Sequence, residues 1–111
     1  MAGKFELKKT ANGQFMFNLK AGNGETILTS EMYREKSSAS AGIESVKKNA
    51  GSDANYERKL SIKQEPFFVL KASNGETIGK SEMYSSSSAM ENGIRSVMTN
   101  APTAAVTDLA F

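Results

Sequence analysis

The sequence predicts an α+β domain: two tandem β3-α-β repeats that build one mostly antiparallel sheet, with both helices on the same face. Three observations carry that reading. Residues 20–33 read KAGNGETILTSEMY and residues 71–84 read KASNGETIGKSEMY; without gaps, 20–50 and 71–101 agree at 18 of 31 positions. Similarity at a fixed spacing marks one supersecondary unit used twice. Each copy begins with short runs of alternating apolar and polar residues separated by turn signals, as in a half-buried meander. The period then changes to an apolar stripe at helical spacing. A meander has one apolar face and a helix one apolar stripe, so covering one with the other gives two layers.

Taken in order, residues 4–9 (KFELKK) alternate, with Phe5 and Leu7 on one face and Lys4, Glu6 and Lys8 on the other. Asn12-Gly13 supplies a hairpin turn, because both central residues tolerate positive φ. Residues 14–21 form a second strand, with Phe15, Phe17 and Leu19 inward and Gln14, Met16, Asn18 and Lys20 outward. Asn23-Gly24 turns into a third strand over 25–29, where Ile27 continues the apolar face and Thr26 and Leu28 point away. Ala39, Ile43, Val46 and Ala50 then stand at i, i+4, i+7 and i+11, which predicts a helix over 38–49. Ser37 or Ser38 is its expected N-cap, and Gly51, in a left-handed conformation, its stop. Gly42 within the helix costs about 1 kcal/mol relative to Ala. It recurs as Gly93, which suggests a close approach.

The second copy repeats this plan with local changes. Residues 56–62 (YERKLSI) open it, but Arg58 stands where Leu7 stood, so a bulge or changed face is expected. Lys63-Gln64 replaces the first Asn-Gly, and Pro66 replaces Phe15 at a strand start. Strands over 67–72 and 76–80 follow, then a helix over 87–99 with the stripe Met90, Ile94, Val97 and Ala101. Ser85–Ser88 offer caps, Pro102 ends the helix, and 104–109 form a last short strand. The counterpart of that strand is 54–58, so the segment near 54–62 closes the first copy and opens the second. The expected organisation is one domain over 1–111, with repeats at 1–53 and 54–111.

Composition narrows the function classes. There is no cysteine and no histidine. Disulfides, thiolate nucleophiles and thiolate metal sites are therefore absent, as are the commonest general base and the commonest transition-metal ligand. A net charge of +2 does not by itself imply a nucleic-acid or membrane partner. No apolar run is long enough to span a bilayer, and Met1-Ala2-Gly3-Lys4 leads into a strand without an apolar signal region, so the cytoplasm is the expected location.

The repeated KAxNGETIxxSEMY, followed by GIxSV at Gly42–Val46 and Gly93–Val97 and by Asn-Ala, resembles the YegP-like family of small bacterial proteins, a domain of unknown function. The resemblance covers nearly the whole chain. It implies a β3-α-β unit, one shared sheet and exchange of C-terminal strands. The strand near 54–60 is then expected in the second half of the sheet, and the strand near 104–109 crosses back to the first. The family supplies no activity, substrate or site residues.

Two places invite a functional reading. Ser30-Glu31-Met32-Tyr33 and its twin Ser81-Glu82-Met83-Tyr84 lie between strand and helix, where sites often sit. Glu31, Tyr33, Glu82 and Tyr84 are candidates for small-ligand binding or catalysis, against the simpler reading that Met and Tyr fasten the connector. The twin Asn-Gly-Glu-Thr stretches lack the glycine spacing of a phosphate loop and read as turns. The second place is the open face of the sheet. Met16, Asn18, Lys20, Phe67, Val69 and Lys71 form the expected contact surface there, with Leu28 among its apolar members, for a protein partner or, less readily, a single-stranded nucleic acid. No catalytic motif, metal site or cofactor site is present in the pattern. The sequence therefore points to a non-enzymatic binding or interaction protein, monomeric with internal pseudo-twofold symmetry.

Overall fold

The computed structural model describes residues 3–110; the expectation of a leaderless start at Met1 and Ala2 lies partly outside them. Strands β1 (Lys4–Lys9), β2 (Phe15–Lys20) and β3 (Thr26–Ser30) form an antiparallel meander, and α1 (Lys36–Asn49) follows. Strands β4 (Tyr56–Leu60), β5 (Pro66–Lys71) and β6 (Thr77–Lys80) repeat it, then α2 (Ser87–Asn100) and β7 (Ala105–Asp108). All seven strands join one sheet in the order β4-β5-β6-β3-β2-β1-β7. The β7 strand crosses back to lie parallel to β1, and β4 belongs to the second half of the sheet.

The two halves meet at a short antiparallel seam between β3 and β6, where Thr29 faces Lys80 and Ser30 faces Gly79. Thr29 and Lys80 are equivalent positions of the two repeats, so the pseudo-twofold axis passes between them. The equivalent of Leu28 is Gly79. A Cβ on Gly79 would lie 2.7 Å from the Thr29 carbonyl oxygen and 3.2 Å from Leu28 Cγ. One leucine fills the seam and leaves no room for a second.

Phe17 and Phe68 lie on the same face of this sheet, and each helix packs on one of them through a glycine. A Cβ on Gly42 would be 3.0 Å from Phe17 Cε2, and one on Gly93 would be 3.3 Å from Phe68 Cε2. Both helices thus cover one face. Ala39, Ile43, Val46 and Ala50 join Phe5, Leu7, Phe17 and Leu19 in a single core with Met90, Ile94, Val97, Phe68 and Leu70. Each large apolar side chain so buried stabilises the fold by about 1.5–3 kcal/mol.

Several local expectations are corrected. The α1 helix starts at Lys36 behind Glu35, which makes no side-chain cap bond, so neither Ser37 nor Ser38 is the cap. In α2 the Ser86 side chain does accept from the Ala89 N–H. Gly51 is not left-handed; the chain leaves α1 through right-handed Ala50 into a 3-10 turn at Asp53–Asn55, with Asn55 Nδ2 donating to the Asn49 carbonyl at 2.9 Å. The β4–β5 pairing runs in regular register from Tyr56 to Leu60, so of the expected bulge or changed face it is the face that changes: Arg58, opposite buried Phe68, is exposed and pairs with Glu91. The irregularities lie instead at Leu19/Lys20 and Leu70/Lys71. The first of these pairs Leu19 with Leu28 and Lys20 with Thr26. Paired residues share a face, so Leu28 turns into the core rather than onto the open face, while Ile27 stays buried beside it. Pro66 costs little because it begins β5. Phe15 both donates to and accepts from Tyr33, whereas Pro66 only accepts, from the Tyr84 N–H at 2.8 Å.

Replacing Gly42 by Ala should destabilise the protein, because the new methyl would stand 2.5 Å from the Tyr33 hydroxyl and 3.0 Å from Phe17. Overpacking costs about 1–3 kcal/mol, more than the gain of about 0.5–1 kcal/mol in helix propensity. Urea unfolding should show a net loss, part of which Tyr33→Phe recovers by removing the nearest atom. Gly51→Ala, with open space around it, is the neutral comparison.

Candidate functional sites

The two Ser-Glu-Met-Tyr stretches divide their residues between structure and exposure. Ser30 is buried; its Oγ accepts from the Phe17 N–H at 2.8 Å and donates to the Glu31 carbonyl at 2.8 Å. Ser81 does the same between Phe68 and Glu82, at 3.0 and 2.8 Å. Both hydroxyls are committed to the bend that leads the chain out of the sheet. Glu31 and Glu82 are exposed, and Met32 and Met83 are largely so. Tyr33 stacks on Phe17 with ring centroids 6.3 Å apart, and Tyr84 on Phe68 at 6.4 Å. Each hydroxyl rests over the helix glycine of its own repeat, where no β-carbon intervenes.

What lies beside each tyrosine comes from the other repeat. Tyr33, Gly42 and Ser45 of the first repeat share a cavity of about 240 Å³ with Asn74, Glu76 and Ile78 of the second. Tyr84, Gly93 and Ser96 share one of about 260 Å³ with Asn23, Glu25 and Ile27. The two cavities are built from equivalent residues exchanged across the axis. Antiparallel pairing at the β3–β6 seam forces this, since it carries each β-hairpin toward the opposite helix. The turns are as expected: Gly24 and Gly75 have φ of 87° and 88°, and the Asn23 and Asn74 side chains each accept from the N–H two residues on at 3.0 Å. These turns hold Glu25 and Glu76 near the phenols. Burial raises the pKa of Tyr33, with the negative charges of Glu31 and Glu76 adding to it; burial, Glu82 and Glu25 do the same for Tyr84. Both phenols stay protonated at neutral pH and can donate a hydrogen bond. Tyr56, by contrast, already donates to the Ala50 carbonyl at 2.7 Å.

The open face has a different character. A row runs across it through the paired residues Thr107, Glu6, Asn18, Thr29, Lys80, Val69 and Glu57. Asn18 is buried and donates to Thr29 Oγ1 at 3.0 Å; Val69 is buried between Glu57 and Lys80. Met16 and Phe67 are half-buried beside Lys8 and Lys59. With Leu28 in the core, the face is less apolar than the strand alternation implies. Charge dominates it. Glu6, itself buried, gathers Lys20, Lys4 and Lys8 at 3.2, 3.4 and 3.6 Å. Its equivalent Glu57 gathers Lys71 at 2.9 Å and Lys59 at 3.6 Å. Burial alone would raise the Glu6 pKa, but hydrogen bonds from Lys20 and Lys4 and the charge of Lys8 outweigh it and hold the carboxyl below its ordinary 4.5. With Lys80, the face carries six lysines against two glutamates.

Among the described residues, no group of three or more His, Cys, Asp or Glu could hold a metal ion, and no helix is long and apolar enough to cross a membrane.

Comparison with known proteins agrees with this geometry. The description "Domain of unknown function (DUF1508)" matches twice, over residues 11–57 and 63–108. The UPF0339 protein YegP of Yersinia pestis is 54% identical over 109 residues, covering 98% of this chain and 97% of its own. A UPF0339 protein of Shewanella oneidensis is 52% identical over 109 residues, covering 98% and 99%. The solution NMR structure of yegP from E. coli, a protein of unknown function, superposes with a TM-score of 0.94 at 48% identity, covering 99% of this chain and 95% of that one. A UPF0339 protein from Shewanella oneidensis, also solved by NMR, gives 0.93 at 52%, covering 99% and 93%. The chain belongs to the UPF0339 family and carries the DUF1508 unit twice. That family is one of unknown function, and nothing in these relatives indicates enzymatic activity.

The glutamate at the centre of the lysine cluster makes stability depend on pH. Because the Glu6 carboxyl titrates lower in the folded protein than its ordinary 4.5, its contribution is present above that value and is lost as pH falls through the folded pKa. The melting temperature should drop between pH 5 and pH 3, by the convention that carboxylates titrate at about 4. Glu6→Gln should start lower at pH 7 and show a shallower decline over the same interval.

Proposed function

We propose that this protein is a non-enzymatic binding module that uses the open face of its sheet to contact an acidic protein partner. The observation that carries the reading is the lysine surplus. Six of the fourteen Lys and Arg residues stand on one sheet face with only two glutamates, although the whole chain carries a net charge of only +2. Lys20 and Lys71 occupy equivalent places in the two halves, so the face offers a repeated cationic element to an extended acidic segment. A rigid sheet holds these charges in place, which lowers the ordering cost of binding. Single-stranded nucleic acid is the less favoured occupant. Base stacking needs aromatic platforms, and among the described residues Phe67 is the only aromatic ring on this face, half-buried near its edge. The binding unit is the whole chain acting as a monomer in the cytoplasm.

A poly-glutamate peptide should shift the backbone NMR signals of Lys20, Lys71 and Lys80, with the effect fading as salt is raised. Lys20→Glu together with Lys71→Glu should remove it while leaving the spectrum otherwise dispersed. If single-stranded DNA bound and the acidic peptide did not, the nucleic-acid reading would take its place. Binding unchanged in the double variant would exclude this face.

The twin cavities support a second reading, a small-ligand site, because equivalent residues from opposite repeats converge on both. An aromatic ring, a donor phenol and a carboxylate suit a small cationic or hydrogen-bonding molecule. Glu25 and Glu76 are the acidic groups that line the cavities, so Glu25→Gln with Glu76→Gln is the informative pair. A metabolite that raises the melting temperature of the parent should lose that effect in the pair. Loss in Glu31→Ala with Glu82→Ala alone would place the site on the exposed loops instead.

A further inference from the structure

The two repeats are equivalent in sequence but not in what covers their outer strands. In the first half, β7 lies parallel along β1, and the Leu109 N–H donates to the Leu7 carbonyl at 2.7 Å. Lys36 at the start of α1 secures it, with its Nζ 2.6 Å from Asp108 and donating to the Ala110 carbonyl at 3.2 Å. The equivalent strand in the second half is β4. It pairs with β5 on one side and with no other strand among the described residues. Among the described residues the chain supplies no neighbour there. The residues equivalent to β7 are 54–57, and they already form the end of a 3-10 turn and the beginning of β4 itself. Arg58, the counterpart of Leu7, therefore presents its backbone outward at the edge of the sheet.

Charges at Glu57, Arg58 and Lys59 blunt the middle of that edge, but its end at Leu60 is apolar. Depressions of about 520 and 530 Å³ flank β4, one bordered by the open-face residue Phe67 with Ile62 and Met83, the other by the helix-side residues Pro66 and Met90 with Arg58; they meet at Leu60. Leu60 is 61% exposed and Ile62 fully exposed. In the first repeat the same places hold Lys9 and Ala11. Side chains of an added strand alternate between the two faces of a sheet, so successive residues would enter the two depressions in turn.

We propose that the β4 edge is a peptide-docking site: it accepts an extended segment of another protein as an eighth strand, parallel to β4, in the position β7 takes on β1 and running on one step further to Leu60. Charge refines the occupant. Beside Leu7 in the first half, the occupant's Asp108 meets Lys36. In the second half Ser87 replaces that lysine, and Arg58 is already held by Glu91 at 2.5 Å and Asp53 at 2.8 Å. In direct contact two carboxylates face one guanidinium, and Arg95, farther along α2, adds only a weaker attraction to Glu91. The occupant therefore carries small or apolar side chains on alternate residues and a basic residue where β7 has Asp108. This site is independent of the lysine cluster, and its main-chain bonding should respond weakly to salt.

The test uses labelled peptides copied from residues 104–110 and fluorescence anisotropy with the full chain. The peptide with Asp108→Lys should bind about tenfold more tightly than the unaltered copy, a difference of about 1.4 kcal/mol. N-methylation of alternate backbone amides, which removes ladder bonds and leaves side chains intact, should weaken it by about tenfold or more. Leu60→Pro in the protein, which removes an outward N–H at the edge, should have a similar effect, with NMR dispersion reporting that the fold survives. Equal binding of the N-methylated peptide, tighter binding of the Asp108 copy, or no binding of any peptide would overturn the proposal. So would a concentration-dependent doubling of mass abolished by Leu60→Pro, which would assign the edge to a second copy of this chain.

Discussion

The β3–β6 seam is the constraint on which the rest of this structure depends. It consists of two facing residue pairs and one further bond from the Glu31 N–H to the Ile78 carbonyl at 3.2 Å. So short a junction would not hold two independent sheets together by hydrogen bonds alone, since each contributes only about 1 kcal/mol net. It suffices here because the core is continuous across it. Leu28 fills the space that Gly79 leaves, and both helices lie over the joined sheet. A 51-residue unit alone has little interior to bury; two joined units share one.

The seam also explains where chemistry can collect. Antiparallel pairing about a twofold axis carries each Asn-Gly hairpin toward the helix of the opposite repeat, so Glu76 arrives beside Tyr33 and Glu25 beside Tyr84. The tyrosines are seated by their own repeats, through Phe17 and Gly42 or Phe68 and Gly93. Away from the axis the symmetry fails in one respect. A single connecting segment cannot serve as closing strand of one repeat and opening strand of the next, so β1 gains a neighbour and β4 does not. Function in a duplicated protein can arise from either feature: from the sites that symmetry doubles, or from the one place where it is broken.

The sequence and the structure agree most closely where the signal is local. The alternation of Phe5 and Leu7 and of Phe17 and Leu19, the helical stripes, and the positive φ of Gly13, Gly24 and Gly75 are properties of a few neighbouring residues and survive in any tertiary context. The misreadings arise where a distant partner decides. Counting along its own strand puts Leu28 on the open face, but its partner Leu19 and the adjoining irregularity turn it inward. Glu35 precedes α1, with Ser37 and Ser38 inside the helix rather than at its cap, and Asn55 bonding Asn49 replaces a left-handed glycine at its end. In the sequence the cavity residues stand in two separate motifs, each repeated. Only the β3–β6 pairing sets the hairpin of one against the tyrosine of the other.

By itself, then, the sequence determined that there are two copies of one unit, which segments are strand or helix, and which faces are apolar, because periodicity and turn chemistry act over a few residues. Only the tertiary structure decided that the open face is ruled by lysines gathered around Glu6 and Glu57, that the two repeated motifs meet across the axis, and that β4 is the strand left uncovered. Those outcomes rest on contacts between residues far apart in the chain and on one short segment that cannot occupy two places in the sheet at once.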